Sequence, residues 1–303
     1  SRIILIDNFE DGTLQNLKNA LKSKKIKFFK KDIRDFNKIK DLFKDIDVVF
    51  HFAALSDVVP SIEEPIDYLN TNIMGTVNIL EAMRKHNVKK IIYAASSSCY
   101  GIPTTYPTNE NEKIDPKYPY AFSKNLGEQV IIHWSKVYKI DYVSLRLFNV
   151  YGTRSRTNSA YGAALGVFLK QKLSNHPFTV IGNGKQKRDF IYVEDVVKAF
   201  YASSKKSVKN KIFNIGSGNP RSILDMLRIL KGKKIFIPKR PGEPDITHAN
   251  ISTAKRILKW KPNVSLENGL DMALRNIFYW NKAPLWTKSK IKTATKNWFK
   301  YLK

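Results

Sequence analysis

Short apolar runs alternate with amphipathic stretches through the first half of the chain, and no other feature limits the fold as much. Arg2–Asp7 is an apolar run that ends in an acid. Lys25–Phe29, Asp47–Phe52, Lys90–Ala95 and Tyr142–Phe148 are four more. Helical patterns lie between them, at about Gly12–Lys22, Phe36–Phe43, Pro65–His86 and Tyr118–Tyr138. Such alternation predicts an α/β fold, a parallel sheet with helices on both faces. In such sheets ligands bind beyond the carboxyl ends of the strands.

After about residue 150 the pattern becomes irregular. Tyr161–Leu173 predicts a helix, and Phe178–Ile181 and Asp189–Val193 predict short strands. Asp195–Ser204, Ile223–Leu230, Ser252–Leu258 and Leu266–Trp280 read as helices, with turn signals at Gly182-Asn183-Gly184, Gly216-Ser217-Gly218 and Pro241-Gly242-Glu243-Pro244. The expected division is a first lobe at 1–150 and a smaller α+β lobe at 151–303. A chain of 303 residues, 43% hydrophobic, can bury a core for both. Its apolar runs fall short of the roughly 18 residues of a membrane span. The single cysteine, Cys99, excludes an internal disulfide and suits a cytoplasmic setting. His51, His86, His133, His176 and His248 lack metal-ligand spacing, so no metal is expected.

The net charge of +27 has two readings, nucleic-acid binding or lysines spread over solvated faces. The lysines run from Lys18 to Lys303, densest over Lys288–Lys303, where Trp298 and Phe299 suggest a short amphipathic helix closing the fold. Dispersal favours the second reading, with an anionic small molecule as partner and neither nucleic acid nor membrane.

Tyr120 and Lys124 stand four residues apart in a helical pattern and so share a face. An ammonium beside a phenol favours the phenolate, and a pKa lowered towards neutrality would make Tyr120 a general base for a sugar or alcohol hydroxyl. Ser96-Ser97-Ser98 follows the strand Lys90–Ala95, where hydroxyls can meet a substrate. Asp7, with Asn8 beside it, ends the first strand; an acid there can accept both hydroxyls of an adenosine ribose, which favours NAD over NADP. Asp32 and Ile33 follow the next strand and are placed to meet adenine. Phe52-Ala53-Ala54 ends the third, and its small residues allow close backbone approach. Asn72 is either a cofactor contact or a structural tie. Arg188 and Arg240 have the fork geometry for a phosphate, although each alone is more often a surface residue.

Taken in order, these positions resemble a known family, the extended short-chain dehydrogenase/reductases that modify nucleotide sugars. His51-Phe52-Ala53-Ala54, Asn72-x-x-Gly75-Thr76, Ser96-Ser97-Ser98-x-Tyr100-Gly101 and Tyr120-x-x-x-Lys124 carry the likeness. Arg146-Leu147-Phe148-Asn149-Val150-Tyr151-Gly152 and Arg188-Asp189-Phe190-Ile191-Tyr192-Val193-x-Asp195-Val196 extend it, so that it covers nearly the whole chain. The resemblance implies a Rossmann-like first lobe that binds NAD, a second lobe that binds a nucleoside-diphosphate sugar, and a homodimer. It implies Tyr120 as base, Lys124 as its tuner and ribose anchor, and Ser96 as the hydroxyl sharing the proton. It places Phe148 near the nicotinamide, and Ser98, Asn149, Arg188, Arg240 and Asp245 or Glu243 around the substrate. Dehydratases and decarboxylases of the family carry acids where this chain has Ser97 and Ser98. Their lack implies 4-epimerisation, of a UDP-hexose first.

The departure is at the start. The family opens with a strand and a glycine-rich turn that cradles pyrophosphate, and no such turn occurs here. A strand–turn–helix of roughly 20–30 residues is therefore expected to be missing before Ser1, from a mid-sheet position beside Arg2–Asp7 and Asp47–Phe52. Two other readings stay open: a dehydratase, reductase or decarboxylase of the same family, and a non-catalytic sugar-nucleotide or protein-binding module without tight NAD binding.

Overall fold

In the computed structural model, which describes residues 2–157 and 164–302, the first half follows the predicted alternation. Its elements run β1 (Ile3–Asp7), α1 (Leu14–Leu17), β2 (Ile26–Lys30), α2 (Phe36–Ile39), β3 (Val48–His51), α3 (Val58–Glu63) and α4 (Pro65–Leu69). Then come α5 (Gly75–Lys85), β4 (Lys90–Ser96), α6 (Pro119–Tyr138) and β5 (Asp141–Leu147). The second half runs β6 (Asn149–Tyr151), α7 (Ala164–Leu173), β7 (Phe178–Ile181), β8 (Lys187–Arg188), β9 (Phe190–Tyr192), α8 (Val193–Ser203) and β10 (Lys211–Ile215). It continues with β11 (Arg221–Ser222), α9 (Ile223–Leu230), β12 (Lys234–Ile237), α10 (Ser252–Leu258), α11 (Leu266–Arg275), α12 (Lys288–Ala294) and α13 (Lys296–Tyr301).

β3, β4, β5 and β10 form a parallel sheet in the order β10-β5-β4-β3. Alternate residues of β4 feed opposite cores, as the period of a strand requires. Ile91, Tyr93 and Ala95 pack with Leu80 and Met83 of α5 and Ile131 of α6. Ile92 packs on the other face with Leu145, Phe200 of α8, Phe213, Leu258 and Trp260. The chain after residue 150 thus crosses the expected boundary twice, giving β10 to the first sheet and α8 and α10 to its cover. The smaller lobe has its own core, built from Phe168, Phe178, Tyr192, Met226, Leu227 and Leu270.

β1 pairs only with β2, from Ile3↔Ile26 to Asp7↔Lys30. Among the described residues no strand joins β1 to β3, so the parallel array is split between them. Its two parts are held in place by α5. Gly75 packs so closely on Ile33 that an added Cβ would lie 2.5 Å from Ile33 Cδ1. Asn78 Nδ2 donates to the carbonyls of Ile33 and Arg34 at 2.9 and 3.0 Å. Beside the split, Ile3, Phe50 and Phe52 are 44%, 42% and 58% exposed, unlike β4, whose central residues are buried.

The helix expected over Gly12–Lys22 is only α1 and a 3-10 turn at Ala20–Lys22. Neither buries a residue, so no tertiary surface supports a longer helix. The helix expected from Pro65 to His86 is α4 and α5 joined by a π-helical turn at Asn70–Met74. Of the expected helix Tyr161–Leu173, Tyr161 lies outside the described residues.

Candidate active site

β4 ends at Ser96, and the chain turns at once into a 3-10 turn, Ser97–Tyr100. Ser96 Oγ lies 2.7 Å from Ser98 Oγ and accepts the Ser98 amide at 3.2 Å. Pro119 opens α6, where its missing N–H costs nothing, and puts Tyr120 in the first turn. The Tyr120 hydroxyl reaches Ser96, so strand end and helix start converge at the carboxyl edge of the sheet.

Lys124 lies one turn further along α6 and is 4% exposed. Its ammonium sits 4.2 Å from the centre of the Tyr93 ring. Burial draws its pKa down to about 7, against the attraction of Glu128. The expected lowering of the Tyr120 pKa is not seen. Burial raises it, and the hydrogen bond with Ser96 opposes that rise only in part. The physical reason is that both groups are out of water, which disfavours the phenolate and the ammonium alike.

Asn72 is the structural tie. Its Oδ1 accepts the Leu55 amide at 2.9 Å, and its Nδ2 donates to Leu55 O at 3.0 Å and Ser123 Oγ at 2.8 Å. It is 1% exposed and fixes the loop after β3 to the residue next to Lys124. Ile33 packs in the core against Gly75. Phe148 packs with Cys99, Tyr100, Ala249 and Ile251 and is 6% exposed. Neither presents a side chain openly to a ligand. Cys99 is buried, with its thiol pushed up to about 12 by burial. His51 is buried against Thr76 Oγ1 at 2.9 Å, and burial draws its pKa down to about 3.

At the β1–β2 end, Asp7 Oδ1 accepts the Phe9 amide at 2.7 Å, and Asn8 Nδ2 donates to Asp32 at 2.9 Å. Arg34 grips Asp32, and that hydrogen bonding, ahead of a smaller burial effect, holds the Asp32 carboxyl down at about 2. A broad open cavity of about 770 Å³ lies here, lined by Lys30, Lys31, Asp32, Arg34, Phe36 and their neighbours. At the other end of the split, Ala53 packs into the first core, while the Phe52 ring meets Phe200 at a tilt, with ring centres 4.6 Å apart. Ala54 follows, half-buried.

In the second lobe Asn149 Oδ1 accepts the Thr247 hydroxyl at 2.9 Å. Glu243 stands between the two arginines, 3.7 Å from Arg188 and 3.1 Å from Arg240. Arg188 is largely, not fully, buried, and burial lowers its pKa despite Glu243. Asp245 lies apart from this pair: it is largely exposed and bonded to Lys239 at 2.6 Å. A cavity of about 410 Å³ opens beside Arg188, Glu243 and Asp245.

Several groups escaped the sequence reading. Tyr118 stacks on Tyr120, 6.4 Å between ring centres and 9° between planes, and bonds Ser98. Glu128 lies at the next turn of the Tyr120–Lys124 face and is joined to Arg146 at 2.6 Å, both almost fully buried. A carboxylate four residues beyond the lysine was the available signal. Arg156 bridges Asp11, beyond β1, and Asp57, beyond β3, and so spans the split at its carboxyl end. No local pattern announces that contact.

A model of the NAD dependent epimerase/dehydratase family matches residues 2–216. A Methanocaldococcus jannaschii protein provisionally named a UDP-glucose 4-epimerase is 37% identical over 280 residues, 88% of each chain. The UDP-glucuronate 4-epimerase of Thermodesulfobacterium geofontis is 34% identical over 283 residues, 88% of this chain and 86% of that one. The crystal structure of Bacillus cereus UDP-glucuronic acid 4-epimerase, with UDP-glucuronic acid and NAD, superposes with a TM-score of 0.85 at 32% identity. It covers 92% of this chain and 91% of its own. With the sheet, the Ser96–Tyr120–Lys124 cluster and these matches together, the chain belongs to the NAD dependent epimerase/dehydratase family.

Proposed function

We propose that the protein is an NAD-dependent nucleotide-sugar 4-epimerase, with a UDP-hexose as substrate. The observation that carries this is the meeting of the Tyr120 hydroxyl with Ser96 at the end of β4, one helical turn above a buried Lys124. Ser97 and Ser98 stand where an elimination would need acids. The relatives named above as UDP-sugar 4-epimerases support the same chemistry.

The residues present fit NAD at its two ends. Asp7 and Asp32 offer acceptors at the adenosine end, and Tyr120 and Lys124 offer a hydroxyl and an ammonium at the other. When bound, NAD would accept the hydride from C4 of the sugar and give it back. Tyr120 takes the 4-hydroxyl proton through its Oη, with Ser96 sharing the hydrogen bond. Positive charge brought into the cleft would lower the pKa of Tyr120, which the protein alone holds high. Arg188 and Arg240 hold the diphosphate, so the 4-keto sugar can turn while its nucleotide stays anchored. Tyr120 then returns the proton, and the product is the C4 epimer with no net oxidation.

The reading includes a homodimer, supported by the exposed Phe122, Val137 and Tyr138 on α6, and a cytoplasmic setting, supported by the single buried cysteine. No helix among the described residues is long and apolar enough to cross a membrane.

The test is incubation with NAD and, in turn, UDP-glucose, UDP-N-acetylglucosamine, UDP-glucuronate and dTDP-glucose, with products read by NMR. A C4 epimer is expected; a 4-keto-6-deoxy sugar or a pentose would overturn the assignment. Tyr120→Phe should reduce turnover by roughly 10²-fold or more.

A further inference from the structure

The C-terminal segment packs against Arg240 and Tyr118 through Trp298. α12 is anchored in the second lobe, where Ile291 packs with Val167 and Ile237. α13 reaches the first lobe, where Asn297 Nδ2 donates to Glu63 of α3 at 3.1 Å. Between these anchors Trp298 points inward and is 2% exposed.

The Trp298 indole makes three contacts, and each leads to the site. Its Nε1–H donates to the Pro241 carbonyl at 2.8 Å, fixing the turn that follows Arg240. Its ring lies 4.9 Å from the Arg240 guanidinium carbon. Its edge meets Tyr118, with ring centres 5.9 Å apart, and Tyr118 stacks on Tyr120. Arg240 Nε also pairs with Glu243 at 3.1 Å, so an incoming phosphate would compete with that carboxylate for it. Packing against the aromatic ring limits the orientations the guanidinium can take, and so favours one bidentate approach to a phosphate.

We propose that Trp298 is a positioning residue for substrate. It orients Arg240 towards the diphosphate, and α12–α13 form a strap that closes the sugar-nucleotide cleft. This rests on the nucleotide-sugar reading above and adds to it a segment that carries no motif of its own. The basic C-terminal stretch then has a role in small-molecule binding, one in which the indole acts through the arginine.

Calorimetric titration of the full chain with UDP and with uridine tests the proposal. Parent protein binds UDP. Trp298→Leu should weaken UDP binding about tenfold and leave uridine binding within about twofold, since the arginine serves the phosphates. In an Arg240→Ala background the same change should cost less than about twofold, because its effect passes through Arg240. Trp298→Phe keeps an aromatic face and should retain UDP affinity within about threefold. That variant also covers the case in which leucine disturbs folding, judged by circular dichroism. A Trp298→Phe protein that folds but binds UDP as weakly as Arg240→Ala would overturn the proposal. So would Trp298→Leu binding UDP like the parent, or losing UDP and uridine equally. Failure of the parent to bind UDP would instead overturn the nucleotide-sugar reading itself.

Discussion

At Lys124 an ionisable group is kept where water hardly reaches it. The ammonium has Tyr93 beneath it and Glu128 further along the same helix face. Burial takes its pKa from an ordinary 10.5 to about 7. Between those values the unfolded chain binds more protons than the folded one, so stability rises with pH across that window. Below pH 7 the full cost of burying the charge is present. Lys124→Met removes the cost, so the variant should be more stable than the parent at pH 6, by at least ~1 kcal/mol. Its advantage should shrink steadily as pH approaches 10. Urea denaturation across that range is the measurement, and equal stability of the two proteins at pH 6 would contradict the depressed pKa.

At the scale of the element, α6 joins catalysis to the sheet. One face carries Tyr120, Lys124 and Glu128 at successive turns. Gly127 beside them lets the helix approach β4, since a Cβ there would lie 2.6 Å from the Tyr93 hydroxyl and 3.0 Å from the Asn72 carbonyl. Glu128 holds Arg146 of β5 and accepts the Ser144 hydroxyl at 2.6 Å. Arg146 in turn donates to Tyr100 Oη at 2.9 Å, so the pair also fixes the turn that follows Ser96. Glu128→Gln leaves Arg146 buried without a counter-charge and should lower stability by about 3–5 kcal/mol. The double change Glu128→Leu/Arg146→Met should recover most of that loss. A single variant less than about 1 kcal/mol below the parent in a denaturant titration would show that the site is wetter than its burial indicates.

Across the whole molecule the outstanding feature is the split between β1 and β3. Parallel sheets are usually buried on both faces, yet Ile3, Phe50 and Phe52 beside the split are exposed. Unpaired strand edges leave backbone groups to solvent and protect their amides poorly. In hydrogen exchange of the 303-residue chain, amides of Val48–His51 and Ile3–Asp7 should exchange at least about tenfold faster than those of Ile91–Ala95. A strand that docked parallel in the split would abolish the difference. Equal protection in the chain alone would mean that the two edges are covered in solution.

The chain by itself determined its α/β class, the order of the early strands and the meeting of Ser96 with Tyr120. Each depends on local rules: apolar runs of strand length, a four-residue helical spacing, hydroxyls just past a strand end. Tertiary structure decided what depended on distant neighbours. β10 and β12 are short and carry lysines, and joined parallel sheets only because β5 and β7 offered free edges. Asn72 ties Leu55 to Ser123 because those distant groups took its hydrogen bonds. Glu243 rather than Asp245 met the arginines because the turn points the first inward and leaves the second in water. The Tyr120 pKa went up rather than down because burial, which no spacing records, outweighed everything else around it.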